Sequence, residues 1–140
     1  MLKKLLLAIP VAACLFLAGY QNGVKAAAAE TQVYELRTYT THPGRLDALN
    51  ARFRNHTTAL FEKHGMKNIG YWIPQDEARK SNTLIYLLAH KSRAAGDASW
   101  KAFGADPVWV KARNASEESG KIVEKVERVW LDPVDYSALK

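Results

Sequence analysis

Three side chains with complementary chemistry alternate along one segment of the sequence. Glu35, Arg37 and Tyr39 are spaced two residues apart, so in a β-strand they would share one face. If that face is buried, Arg37 could bind a carboxylate or a phosphate through its planar guanidinium group, and Tyr39 could donate a hydrogen bond to a ligand. The alternative is an internal ion pair, because Arg37 and Glu35 would lie about 7 Å apart along the strand, close enough to interact.

Acid–base chemistry would depend on a histidine. His64 precedes Gly65 at the end of a predicted helix, and histidine ordinarily titrates near neutral pH, which suits a general acid or base. The alternative is a histidine whose positive charge is favoured by the helix C-terminal dipole. The histidines show neither the H-x-x-x-H nor the H-x-H spacing of metal ligands, so we expect no metal site.

The familiar motifs of cofactor-dependent and hydrolytic enzymes are missing from the sequence. It contains neither the glycine-rich loops that bind nucleotides nor the G-x-S-x-G motif of serine hydrolases, so no cofactor is predicted. The four tryptophans could indicate a haem or an aromatic ligand. However, the second helical region, residues 93–119, contains no histidine that could ligate haem iron, and packing is the more usual role of tryptophan.

Composition and charge describe one ordinary folded domain. The chain has 140 residues, of which 48% are hydrophobic and 24% are charged. Of its 20 lysines and arginines, Lys3, Lys4 and Lys25 lie in the first 29 residues, which leaves 17 basic and 14 acidic residues from Glu30 onward. A net charge of +3 on that portion gives little reason to expect nucleic acid or a membrane as a partner.

The first 29 residues are typical of a secretory signal peptide. Two lysines precede the almost wholly apolar residues 5–20, and four alanines at 26–29 offer small side chains for cleavage. We therefore expect export to the periplasm or the extracellular medium, with no membrane association after cleavage. A membrane anchor is disfavoured because Pro10 interrupts an apolar run shorter than the roughly 20 residues of a spanning helix. Lipidation of Cys14 is a further alternative, and cleavage after residue 29 would leave no cysteine.

The remaining residues, 30–140, predict one α+β domain. Aromatic and β-branched segments indicate strands, and apolar residues at helical spacing indicate helices. The predicted strands cover residues 33–40, 67–73, 83–90 and 121–131, and the predicted helices cover residues 45–64, 93–103 and 107–119. The order βαββαβ is the ferredoxin-like arrangement, in which helices cover one face of a four-stranded antiparallel sheet.

The other face of this sheet would be left uncovered. We expect it to carry Arg37, Tyr39 and Tyr86, together with Trp72 or Trp130. So much aromatic surface on a monomer implies a partner. A second copy of the chain would cover it most simply, with two sheets packed face to face into a dimeric α/β barrel.

Several short segments together resemble the NIPSNAP family. They are Tyr34-Glu35-Leu36-Arg37-Thr38-Tyr39, Pro43-Gly44, Leu60-Phe61-Glu62-Lys63-His64-Gly65, Gly70-Tyr71-Trp72, Asp106-Pro107-Val108-Trp109 and Leu131-Asp132-Pro133. The resemblance extends from about Tyr34 to Tyr136 and implies a dimeric α/β barrel of ferredoxin-like subunits. It implies little about activity.

These observations lead to three functional hypotheses. The first is an exported homodimer that binds a small organic molecule between its sheets. The ligand-contacting residues would be Glu35, Arg37, Tyr39, Trp72 and Tyr86. The second is a cofactor-free monooxygenase or isomerase that acts on an activated phenolic or quinone-like substrate, and the third is a non-catalytic interaction module whose own side chains fill the barrel.

Overall fold

The computed structural model describes residues 32–140, and the predicted signal peptide, residues 1–29, lies outside the described residues. Strands and helices follow in the order β1 (Val33–Thr41), α1 (Leu46–Arg52), a π-helical segment (Phe53–Thr57), α2 (Thr58–Lys63), β2 (Lys67–Trp72), β3 (Thr83–His90), α3 (Arg93–Ala105), α4 (Pro107–Ser116) and β4 (Val123–Leu131). Within this part of the chain, no helix combines the length and apolar character needed to cross a membrane.

The four strands form one antiparallel sheet in the order β2-β3-β1-β4. The central strand β1 pairs with β3 on one side and β4 on the other, while β2 lies at the edge beyond β3. Helices connect β1 to β2 and β3 to β4. This topology confirms the predicted ferredoxin-like α+β fold.

An aromatic core fills the space between the sheet and the helices. Tyr86, in the middle of β3, is fully buried, and its ring centroid lies 5.2 Å from that of Phe53 and 6.0 Å from that of Phe61. Tyr39 of β1 also packs edge-on against Tyr86, and Phe103 of α3 packs against Phe61. The core is therefore built by aromatic side chains from β1, β3 and both helical regions.

The helix between β1 and β2 is α-helical at its ends and π-helical in its middle. The backbone N–H of Thr58 donates to the Phe53 carbonyl oxygen, five residues earlier, as a π-turn requires. The hydroxyl groups of Thr57 and Thr58 also donate to the carbonyl oxygens of Arg52 and Phe53. The extra residue in this turn changes the helical phase between α1 and α2.

The prediction that Arg37, Tyr39 and Tyr86 lie on the uncovered face is wrong. The register pairs Arg37 with Tyr86, which lies under the helices, and Glu35 shares that face. Trp130 also faces the helices, since its ring packs against that of His90. Alternation within β1 separates two sets of side chains but does not indicate which set the helices cover. The charged side chains of Glu35 and Arg37 are tolerated under the helices because they pair with each other.

The face that the helices leave uncovered, here called the outer face, has an apolar centre and carries polar residues such as Thr38 and Glu127 toward one end. Leu36 of β1 lies between Leu87 of β3 and Val129 of β4 in the register. Trp72 lies on this face, as predicted, with 51% of its surface exposed. Its ring lies against Gly70, where an added Cβ atom would come within 2.5 Å of it. The outer face therefore keeps an exposed apolar surface, but without the arginine and tyrosines expected from the sequence.

Candidate functional site

Glu35 is the centre of a buried polar cluster between the sheet and α3. Its side chain is 0% exposed. One carboxylate oxygen accepts a 2.8 Å hydrogen bond from Nη1 of Arg37, and the other accepts bonds of 2.9 Å from Nε2 of His90 and 2.6 Å from Nε1 of Trp100. The internal Glu35–Arg37 ion pair, which the sequence offered as an alternative, is therefore present. His90 and Trp100 are two further donors to the Glu35 carboxylate.

These hydrogen bonds decide the charge state of Glu35. Burial by itself raises the pKa of the Glu35 carboxyl group, because it disfavours the charged form. The hydrogen bonds from His90, Trp100 and Arg37 lower that pKa by more, so the net result is a pKa below the ordinary value. Glu35 is consequently a carboxylate at neutral pH and functions as a fixed acceptor rather than as a proton donor.

Arg37 is held between Glu35 and aromatic rings. Its guanidinium carbon lies 4.1 Å from the ring centroid of Trp100, which is close enough for a cation–π interaction. Its Nη2 atom lies 3.5 Å from the Tyr39 hydroxyl oxygen. The side chain is 12% exposed, so the cation is buried and fixed in position.

Four buried polar atoms of the residues around this ion pair have no hydrogen-bond partner. They are Nε of Arg37, the Tyr86 hydroxyl oxygen, Nδ1 of His90 and Nε1 of Trp130. Burial raises the pKa of Tyr86 well above its ordinary value, so its hydroxyl group remains protonated and can donate. An unpaired buried polar atom ordinarily costs about 1–3 kcal/mol. The hydrogen bonding of the cluster is therefore incomplete at four atoms.

The cluster reaches the protein surface along β4. On the helix-facing side, the register pairs Glu35 with Trp130, Arg37 with Arg128 and Tyr39 with Val126. The side chain of Arg128 is 42% exposed, and Val126 is also exposed. The β4 strand is therefore the side on which the cluster lies nearest to solvent.

Gly96 provides the space in which this cluster packs, and this leads to a prediction. A Cβ atom at Gly96 would lie 2.5 Å from Trp130 and 3.1 Å from His90, whereas at Gly104 of the same helix it would meet nothing within 4 Å. We expect Gly96→Ala to be less stable than Gly104→Ala by about 1 kcal/mol or more in urea unfolding, because only the first is overpacked. Equal stability of the two variants would show that the packing around Trp130 is loose.

His64 is separated from this cluster by its own pairing. It ends α2, and its Nε2 atom lies 2.8 Å from a carboxylate oxygen of Asp106. The same oxygen accepts from Lys63, and the other oxygen caps α4 by accepting from the backbone N–H of Val108. Hydrogen bonds from Lys63, His64 and the Val108 backbone hold the pKa of Asp106 well below its usual range. His64 therefore lies in a separate polar cluster with Lys63 and Asp106.

His90 and Trp100 are the members of the cluster that sequence reasoning missed. They lie 55 and 65 residues from Glu35 in the chain. Antiparallel pairing of β1 with β3 brings His90 close, because it places Glu35 opposite Leu88, two residues before His90. Trp100 reaches Glu35 from α3. A histidine that ends an otherwise apolar strand was the available signal. Trp72 faces away from the cluster, on the outer face.

A surface groove of about 270 Å³ lies between α1 and α4. The side chain at its base, Arg52, is bound to Glu117 at 3.0 Å and lies over the ring of Trp109. Among the residues that line the groove, only Nε of Arg52 is a buried polar atom without a partner, against four such atoms in the Glu35 cluster. The Glu35 cluster is therefore the stronger candidate site. Within residues 32–140, no three histidine, cysteine, aspartate or glutamate side chains are grouped to hold a metal ion.

Comparisons with known proteins agree with the fold. The family model described as NIPSNAP matches residues 34–138. A NIPSNAP family protein of unknown function from Agrobacterium tumefaciens has a similar structure, with a TM-score of 0.67 and 20% identity over 80% of this chain and 96% of that one. A NIPSNAP-like domain protein from Burkholderia xenovorans has a TM-score of 0.65 and 16% identity, over 77% and 90% of the two chains.

A functionally described protein shares the fold at lower similarity. It is a monooxygenase, ActVA-Orf6 of Streptomyces coelicolor, solved in complex with the ligand nanaomycin D. Its TM-score is 0.54 and its identity 16%, over 79% of this chain and 95% of that one. No curated protein sequence matches the chain.

Proposed function

The chain belongs to the NIPSNAP family, and we propose that it binds a small organic molecule in a cleft between its sheet and its helices. The observation that carries this proposal is the set of four unpartnered polar atoms around the Glu35–Arg37 ion pair. A ligand that pairs with these atoms would remove a cost that the unliganded protein bears. A monooxygenase of this fold was itself solved with an organic ligand.

The residues of the cluster indicate the two parts of such a ligand. The nitrogen Nε of Arg37 and Nε1 of Trp130 are N–H donors, so the ligand would present an oxygen acceptor to them. The rings of Trp100 and Tyr39 flank Arg37 and suit an apolar body. Glu35 is the anchor that keeps Arg37 in place rather than a group that contacts the ligand.

The proposal includes a homodimer formed through the outer face. Leu36, Leu87 and Val129 adjoin one another there, and an exposed apolar patch of this kind ordinarily marks an interface. In such a dimer each protomer would carry its own site on the opposite side of its sheet. The ligand would therefore lie within a protomer, and not in a cavity between the two sheets. Export directed by residues 1–29 completes the proposal.

Native mass spectrometry of the protein purified from its own host tests these parts together. We expect the mass of two processed chains with one small molecule retained per protomer. In the proposal the Tyr39 hydroxyl group, beside Arg37, also donates to the ligand. Tyr39→Phe removes that hydroxyl group, and losing a hydrogen bond worth about 1 kcal/mol should lower retention roughly fivefold. Tyr136→Phe is the matched control, because the Tyr136 side chain is 88% exposed. Two bare chains would instead support the interaction module.

A further inference from the structure

Two arginines lie next to each other across the strands of the candidate site. The register pairs Arg37 of β1 with Arg128 of β4, and both side chains are on the helix-facing side of the sheet. Like charges directly opposite on neighbouring strands destabilise a sheet. An anion placed between the two guanidinium groups would relieve this repulsion.

The carboxylates of the protein neutralise this pair incompletely. Oε1 of Glu35 lies 2.8 Å from Nη1 of Arg37 but 4.0 Å from Nε of Arg128. Oδ1 of Asp97 also lies 4.0 Å from Arg128, and its side chain is 56% exposed. Both Arg128 contacts are too long for hydrogen bonds. The buried carboxylate of Glu35 therefore lies near both guanidinium groups but accepts a hydrogen bond only from that of Arg37.

Aromatic rings stand on both sides of the arginine pair. Trp100 lies over Arg37, and the ring centroid of Trp130 lies 5.7 Å from the guanidinium carbon of Arg128. The unpartnered Nε1 of Trp130 adds an N–H donor to those of the arginines. Aromatic surfaces and N–H donors of this kind are chemically complementary to a flat ring system that carries an oxygen acceptor.

We propose that the ligand is a planar aromatic compound with an anionic oxygen group, a carboxylate, enolate or phenolate, bound between Arg37 and Arg128. This inference rests on the proposed function, because it assumes that the cleft binds a ligand. The bound anion would be the second negative charge that the two arginines require beside Glu35. Arg128 is the specificity-determining residue, since its side chain is 42% exposed and its contacts with Glu35 and Asp97 are longer than hydrogen bonds. Arg37, by contrast, is already hydrogen-bonded to Glu35.

Matched aromatic probes that differ only in charge test the proposal. Isothermal titration of the purified full-length protein would compare 1-naphthoate with its neutral analogue 1-naphthamide. We expect naphthoate to bind at least tenfold more tightly than naphthamide. Arg128→Gln should remove that preference while changing the affinity for naphthamide less than twofold. Arg128 is an exposed side chain, so its replacement leaves the buried cluster folded.

Arg113→Gln is the matched control, because it removes the same charge from an exposed arginine on α4. It should change the affinity for naphthoate less than twofold. Equal binding of the two probes, or an equal loss in both arginine variants, would overturn the anionic ligand but leave ligand binding intact. If neither probe binds, this inference fails, whereas the proposed function fails only if native mass spectrometry also finds no retained molecule.

Discussion

Replacing Glu35 with glutamine is expected to lower the free energy of unfolding by about 3 kcal/mol or more. The carboxylate is fully buried and accepts hydrogen bonds from Arg37, His90 and Trp100. Removing one partner of a buried ion pair leaves the other charge uncompensated, and glutamine offers only one acceptor oxygen to three donors. Urea unfolding measures the loss.

The pH dependence of the free energy of unfolding is an independent test of the Glu35 carboxylate. The pKa of the Glu35 carboxyl group lies below its ordinary value of 4.5 in the folded protein. Its ionised form therefore stabilises the fold at and above that value, and this contribution is lost as the pH falls through the folded-state pKa. We expect the stability of the wild type to fall more steeply in acid than that of Glu35→Gln.

Glu118→Gln provides the control, since the Glu118 side chain follows α4, away from the sheet, and is exposed. Its effect should remain within about 0.5 kcal/mol, as is usual for surface substitutions. If Glu35→Gln were as stable as the wild type, the cluster could not be the organised ion pair that the site requires. A similar acid response in all three proteins would contradict the lowered pKa.

Placing a carboxylate at the centre of the outer face is expected to abolish dimerisation at micromolar concentration. Leu87 is only partly buried in the protomer and adjoins Leu36, so Leu87→Asp should fold normally. In the proposed interface the new charge would be desolvated without a partner, which costs several kcal/mol. A penalty of about 4 kcal/mol weakens association roughly 1,000-fold. Sedimentation velocity would detect the change.

The control for Leu87→Asp introduces the same charge on a helix instead of on the outer face. Val108 of α4 is an exposed apolar residue, at 53%, so Val108→Asp should leave the dimer unchanged. Dissociation by both variants would indicate a general effect of charge. A wild-type protein that sediments as a monomer would rule out the interface directly, whatever the variants do.

The fold could be predicted because its signals are local. Helix α2 ends two residues before Gly65, whose φ of +78° is a left-handed conformation that glycine adopts without strain. The side chains of Ser92 and Asp106 cap α3 and α4 as their positions before each helix suggest. Each of these features depends on a few neighbouring residues, so one sequence is enough to identify it.

The orientation of the candidate site could not be predicted because it depends on distant residues. Glu35 and Arg37 look like surface residues beside Leu36, and only their partners make burial favourable. Those partners, His90 and Trp100, come from β3 and α3. Strand alternation predicted which side chains of β1 share a face of the sheet. The choice between the two faces was settled by contacts that bridge more than 50 residues of chain.

The π-helical turn at Phe53–Thr57 has a consequence for aligning this chain with its relatives. A π-turn contains about one residue more than an α-turn. A relative that lacks a residue here can form a continuous α-helix and still direct the same two faces at the sheet. Alignments should therefore permit a single-residue gap within this helix, where gaps are normally discouraged, or positions on one side of it will be matched to the wrong counterparts.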